Sequence, residues 1–230
     1  MERCLLSGSN VFRFESEYVG TNMYLIVSGT RALAVDPHPS EEADALLEKS
    51  GVREVTILLT HEHPDHTNGV PHLRERFETT LVCQEKCART IAVEKNNRPF
   101  LISFVLAQRD ERDGTHLAEK FAAAVRPYEC RADQTFDREM TMEWEGRRLH
   151  FRHTPGHSQG SCCILLDSEA LFTGDSLIYG TPVITRFPGG NAREYDTVTK
   201  PFLETIPDGM ILLPGHGKTF KMEEIRHVGF

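Results

Sequence analysis

The stretch that decides the fold runs Glu54-Val55-Thr56-Ile57-Leu58-Leu59-Thr60 and continues without a break into His61-Glu62-His63-Pro64-Asp65-His66. Its first part is a short apolar run rich in β-branched residues, which reads as a buried strand. That strand hands the chain directly to a cluster of imidazoles and carboxylates. His61 and His63 stand at i and i+2, so in an extended segment both rings point to one side. Pro64 cannot continue a strand ladder and redirects the chain, which lets Asp65 and His66 turn toward the same volume. One loop thus offers three imidazoles and a carboxylate. That donor set suits zinc, iron or manganese.

One loop leaves a metal site incomplete, and three later turns can complete it: Thr154-Pro155-Gly156-His157, Phe172-Thr173-Gly174-Asp175 and Pro214-Gly215-His216-Gly217. Each follows a strand signal, and each carries a glycine that lets the backbone bend and approach closely. Strands are predicted at Asn22 to Val27, Ala32 to Asp36, Met140 to Trp144, Leu149 to His153, Cys162 to Leu166, Ala170 to Thr173 and Met210 to Leu213. Ser40 is a good helix cap, with Glu41 and Glu42 in the first turn and Gly51 after the last. Asn68 to Phe77 and Glu194 to Thr205 also read as helical. The segment from about Cys83 to Arg131 is mostly helical in character, broken at Asn96-Asn97-Arg98-Pro99 and at Asp113-Gly114. It reads as a helical insertion, or lid, within one domain spanning residues 1–230. The alternation of strands and helices predicts an α/β sandwich with helices outside.

Taken in order, His61-x-His63-x-Asp65-His66, His157, Asp175 and His216 resemble the ligand set of the metallo-β-lactamase superfamily, closest to its glyoxalase II-like branch. The resemblance spans about residues 20 to 217. It implies an αββα sandwich with metals at one edge between two sheets. It would place His61, His63 and His157 on a first ion and Asp65, His66 and His216 on a second. Asp175 would bridge the two, and Asp36, ending its strand at Val35-Asp36-Pro37, would support the histidine loop from behind. The implied cofactor is two zinc ions, with iron or manganese as alternatives. The implied chemistry is hydrolysis by a two-metal site, with ions about 3.5–4 Å apart and a bound water whose pKa falls to about 7. Asp65, His66 and Asp175 are the candidate catalytic residues, with Asp65 or a bound water passing a proton to the leaving group.

Composition narrows the partners. The net charge is −8 with no run of Lys and Arg, so neither a nucleic acid nor an anionic membrane surface is an expected partner. No stretch approaches the roughly 18 apolar residues of a transmembrane helix. Met1 to Phe14 lacks the features of a signal peptide. The six cysteines show no CxxC pair, so reduced thiols and a cytoplasmic location are expected. Oligomeric state stays open.

Within the family, exported zinc β-lactamases fit poorly, because one large class has Cys where Asp175 stands here. Nucleases of the family carry extra nucleic-acid modules. Glyoxalase II carries a C-terminal helical domain, whereas 14 residues follow His216 here. The expected substrate is therefore the ester, thioester or lactone bond of a small molecule. A mononuclear iron persulfide dioxygenase-like enzyme, using two His and an Asp, is the alternative, followed by a non-catalytic metal-binding regulator. Tyr179, four residues after Asp175, is a candidate substrate contact. His38, His72, His116, His150, His153 and His227 fit no ligand position and read as structural. Cys162 and Cys163 read as core, Cys83 and Cys87 as neighbours on one helix face, and Arg186 and Arg193 as solvated.

Overall fold

Every side chain from Asn22 to Ile26 is buried, which a strand with one solvated face cannot achieve; such a strand must be covered on both sides. The computed structural model describes residues 1–7, 9–97 and 100–226; Arg98, Pro99 and His227 lie outside them. A first sheet of seven strands runs in sequence order: β1 (Glu2–Leu6), β2 (Ser9–Glu15), β3 (Asn22–Ser28), β4 (Arg31–Val35), β5 (Glu54–Leu58), β6 (Glu78–Gln84) and β7 (Gln134–Phe136). Pairing is antiparallel from β1 to β4 and parallel from β4 to β7. A second sheet holds β8 (Glu139–Trp144), β9 (Arg147–His153), β10 (Cys162–Leu166), β11 (Ala170–Gly174), β12 (Ile211–Pro214) and β13 (Phe220–Lys221), in reverse order across the sheet.

Alternation along each strand divides the core. Tyr24, Ile26, Leu33, Val35 and Leu58 face Leu149, Phe151, Ile164, Leu166 and Phe172 between the sheets. Their neighbours Met23, Leu25, Ala32, Ala34 and Ile57 point outward to Leu47, Leu73 and Ile91 on the flanking helices. On the far side, Leu171 and Leu212 meet Leu203 and Ile225. The result is the αββα sandwich that the sequence implied.

Strands β1, β2, β7 and β13 and one helix differ from the sequence expectation. The hairpin β1–β2 is not evident in sequence, because Arg3, Asn10 and Arg13 interrupt its apolar positions. β7 is only three residues long. The helix expected at Glu194 to Thr205 runs from Ala192 to Glu204, but its middle, Tyr195–Thr199, is π-helical, with Lys200 N bonding Tyr195 O. Pro201 explains this: it lacks an N–H and crowds the carbonyl of the preceding turn, so the ladder widens there.

The insertion comprises the helices Glu85–Ile91, Phe100–Asp113 and Leu117–Ala124. Its own small core of Ile102, Leu106, Phe121 and Val125 packs against Tyr18 and Val19. It leaves and re-enters the first sheet through adjacent parallel strands, with Val82 paired to Gln134. No helix among the described residues is long and apolar enough to cross a membrane.

Phe172 is fully buried between the sheets, and Phe172→Ala should cost about 3–5 kcal/mol in urea-denaturation measurements. Phe104, 56% exposed on the insertion, should tolerate alanine within about 0.5 kcal/mol.

Candidate metal centre

Five strand ends supply the residues. β4 ends at Asp36, β5 runs into Thr60 to His66, β9 leads to His157, β11 to Asp175 and β12 to His216. These side chains converge. His63 Nδ1 lies 3.1 Å from His61 Nε2 and 2.9 Å from His157 Nε2. Asp65 Oδ2 lies 3.5 Å from His66 Nε2 and 3.4 Å from His216 Nε2. Asp175 stands between the two groups: Oδ2 is 3.5 Å from both His157 Nε2 and His216 Nε2, and Oδ1 is 3.6 Å from His66 Nε2.

Outer hydrogen bonds decide which nitrogens face inward. Thr60 Oγ1 donates to Asp36 Oδ2 at 2.5 Å, so its 3.0 Å contact with His61 must be received from Nδ1–H. His66 Nδ1–H donates to Asp36 Oδ2 at 3.0 Å, and His157 Nδ1–H donates to the Ile184 carbonyl at 2.8 Å. In each ring the outer hydrogen bond fixes Nδ1 as the proton-bearing nitrogen and aims Nε2 at the cluster, free to bind a cation once it carries no proton.

These atoms fit a metal better than they fit one another. A proton on His63 Nδ1 can serve one of its two imidazole neighbours, whereas a cation serves all three nitrogens. Buried His66 Nε2 and Asp175 Oδ1 have no hydrogen-bond partner, a costly state unless something else binds them. His61, His63 and His157 form one set able to hold an ion, and Asp65, His66 and His216 form another. Asp36 with His61 and His66 is a third grouping, but its carboxylate is already occupied by Thr60 and His66.

The charges agree with this division. Burial, reinforced by His157, pushes His63 down to about 4, and burial puts His61 well below its usual range. Burial alone would depress His66 too, but Asp65, Asp175 and Asp36 override it and raise the ring to about 10. Burial would raise Asp65 and Asp175; the surrounding imidazoles, chiefly His66 for Asp65 and His216 for Asp175, hold both below the ordinary carboxylate range.

Several supporting residues were not singled out in the sequence. Glu62 is buried, accepts from Ser158 Oγ at 2.8 Å and from Gly160 N at 3.2 Å, and so ties the His61–His66 loop to the His157 turn. Its place between two ligand-type histidines was the available signal. Thr21 Oγ1 donates to Asp65 Oδ2 at 2.9 Å, and Asn22 Nδ2 donates to Pro214 O and Gly217 O, both at 2.9 Å. Phe187 lies beside His63 and His157, with ring centroids 6.0 and 6.4 Å away. Tyr179 is half-exposed, its ring against Phe220 and beneath Lys218 Nζ at 3.7 Å.

Away from the cluster, His38, His72, His150 and His153 each have a hydrogen-bond partner. Ser40, not Asp36, caps the helix Glu41–Lys49. Cys83, Cys87 and Cys162 are buried, but Cys83 lies in β6 and Cys87 in the helix Glu85–Ile91, so the two do not share a helix face. Burial also pushes the thiols of Cys87 and Cys162 up.

Gly215 marks the tightest point, where a Cβ would collide with Asp175 Oδ1 and His66 Cε1. Gly215→Ala should therefore lose stoichiometric metal after gel filtration, read by elemental analysis. Gly209→Ala, where a Cβ meets nothing, should retain it.

The metallo-beta-lactamase superfamily profile matches residues 17–216. The chain is 27% identical over 235 residues to the acyl-coenzyme A thioesterase MBLAC2 of Gallus gallus, covering 95% of this chain and 81% of that protein. It is 24% identical over 201 residues to the probable metallo-hydrolase YqgX of Bacillus subtilis (strain 168), covering 86% of each. Among solved structures, the BLEG-1 B3 metallo-beta-lactamase superposes with a TM-score of 0.73 at 22% identity, covering 94% of this chain and 96% of that one. TTHA1623, solved in a di-iron-bound form, gives 0.67 at 22% identity, covering 93% and 96%. Together with the convergence of His61, His63, Asp65, His66, His157, Asp175 and His216, the match over residues 17–216 establishes that this chain belongs to the metallo-beta-lactamase superfamily.

Proposed function

We propose that this chain is a dinuclear zinc hydrolase that cleaves thioesters of small molecules, ester and lactone bonds being its secondary substrates. The observation that carries the reading is the position of Asp175 between two three-donor sets. His61, His63 and His157 would hold one ion and Asp65, His66 and His216 the other, with Asp175 available to both sets. Divalent ions held there would supply Lewis acidity for activating water and for the scissile carbonyl.

The chain's own residues do the rest. Asp36 and Thr60 orient His66 and His61 from behind the site. Thr21 holds Asp65 by Oδ2, leaving Oδ1 to carry a proton away from the attacking water. Tyr179 contributes a rim contact to substrate. A thiol of pKa about 8.5 leaves as thiolate with little help, so a site whose proton carrier is a single carboxylate suits a thioester. The thioesterase name of the Gallus gallus relative supports the same class. A net charge of −8 supports a small-molecule rather than a nucleic-acid substrate. Six free thiols support a reducing compartment such as the cytoplasm.

Anaerobic purification followed by elemental analysis and a thioester, ester and lactone panel tests the reading. Near two zinc per chain with thioester turnover is expected, and His63→Ala should lower kcat/KM by more than about a hundredfold. One iron per chain with sulfur-dependent oxygen uptake would replace it with an oxygenase.

His66 must lose its proton to bind a metal. With its folded value raised to about 10, the ring is protonated at neutral pH in the metal-free chain. Zinc uptake near pH 7 should therefore expel that proton, and affinity should climb with pH until about 10. Calorimetry in buffers of different ionisation enthalpy reads the proton directly; a proton-neutral binding event would remove His66 from the ligand set.

A further inference from the structure

The loop between Asp175 and the helix that starts at Ala192 is fastened to the metal centre twice. Ile184 O accepts from His157 Nδ1 at 2.8 Å, and Asn191 N donates to Gly156 O at 2.8 Å. Between these points Gly190 N donates to Phe187 O at 2.8 Å, closing the turn Phe187-Pro188-Gly189-Gly190. A Cβ on Gly190 would collide with Thr185 O, so the turn is drawn tight. This segment is a bracket around His157.

At the tip of that bracket Phe187 is 39% exposed. Its ring stands nearly perpendicular to those of His63 and His157, at 81° and 79°. Burying a phenyl ring is worth about 1.5–3 kcal/mol, yet the fold leaves this one partly in water beside two ligand-type imidazoles. Tyr179, exposed to the same 39%, lies instead against Phe220 and under Lys218 Nζ at 3.7 Å, not against the ligand-type imidazoles. Apolar surface adjoining a few polar, reactive groups is the usual composition of a small-molecule site.

We infer that Phe187 forms the apolar subsite for the acyl group of the substrate, alongside the scissile carbonyl, and makes the enzyme favour medium-chain over acetyl thioesters. The inference rests on the thioester-hydrolase reading and specifies which side of the substrate this residue meets. The phenyl ring contacts the methylenes beyond the carbonyl; the thiol portion leaves on the opposite side.

The test compares kcat/KM of the metal-loaded protein for octanoyl and acetyl thioesters of one thiol. Wild type should prefer octanoyl. Phe187→Ala should cut the octanoyl-to-acetyl ratio about tenfold, equivalent to about 1.4 kcal/mol, and Phe187→Leu should restore most of it. Val198→Ala, at an exposed apolar position on another surface, should leave the ratio unchanged. A binding arm uses the non-hydrolysable octyl and ethyl thioethers of the same thiol, read by calorimetry, with the octyl advantage falling in Phe187→Ala. Thioester turnover with an unchanged ratio would overturn the role of Phe187 alone. Absence of thioester turnover in wild type would defeat the hydrolase reading. In that event equal octyl and ethyl affinities would defeat this inference too, whereas an octyl advantage lost in Phe187→Ala would uphold the subsite.

Discussion

The buried Asp36 carboxylate, which accepts from Thr60 N at 2.7 Å, from Thr60 Oγ1 and from His66 Nδ1, is the interaction on which the centre depends. A buried carboxylate is tolerated only when its oxygens are satisfied, and these donors come from the loop it must position. Asp36 itself adopts a left-handed backbone, φ +50°, a conformation that costs most side chains about 1–2 kcal/mol and that Asp accepts more readily. The turn directs its carboxylate off the end of β4 and across to the end of β5. The parallel pairing of those strands, Val35 against Leu58, brings the acceptor level with the histidine loop. Sheet register thereby becomes imidazole orientation.

A second carboxylate does for the two sheets what Asp36 does for two strands. Glu62 belongs to the loop after β5, in the first sheet, and its partners Ser158 and Gly160 belong to the turn between β9 and β10, in the second. Cys162 N donates to Thr60 O at 2.7 Å nearby. The donor sets draw on loops from both sheets, so their spacing depends on how the sheets face each other. Hydrogen bonds to a buried charge are among the stronger ones, and these fix that relation where it matters.

Much of this was legible in the sequence because the chemistry repeats a simple local form. His61, His157, Asp175 and His216 each follow an apolar strand, and strands with buried faces announce themselves by composition. Asp36, at the end of its own strand, was legible only through the family resemblance, and its hydrogen bonds were not. Glu62 stood in full view, but a carboxylate between two histidines on one loop gives no hint of a partner about a hundred residues away. Thr21 and Asn22 acquire their roles only because β3 runs beside the loop after β12, a long-range pairing that no periodicity encodes. Phe187 sits in a loop without strand or helix signal, and its place beside His63 follows from two hydrogen bonds formed in the fold. The hairpin β1–β2 was hidden because its polar residues break the alternation that marks a strand.

The helical insertion leaves β6 and returns in β7, its neighbour in the same sheet. Neighbouring strands lie only about 4.8 Å apart, so the ends of the insertion are close whatever lies between them. Lengthening such a connection is cheap, about 0.6 kcal/mol for each doubling. It touches the centre through Tyr128, whose hydroxyl meets Thr67 Oγ1 at 2.6 Å and Pro64 O at 3.3 Å, and through Cys87, which packs against Gly160. The architecture is therefore modular in the evolutionary sense. A lineage, or a designer, could exchange the helices Phe100–Asp113 and Leu117–Ala124 for others of different length while keeping Glu85–Ile91, whose Cys87 and Ile91 pack against the first sheet.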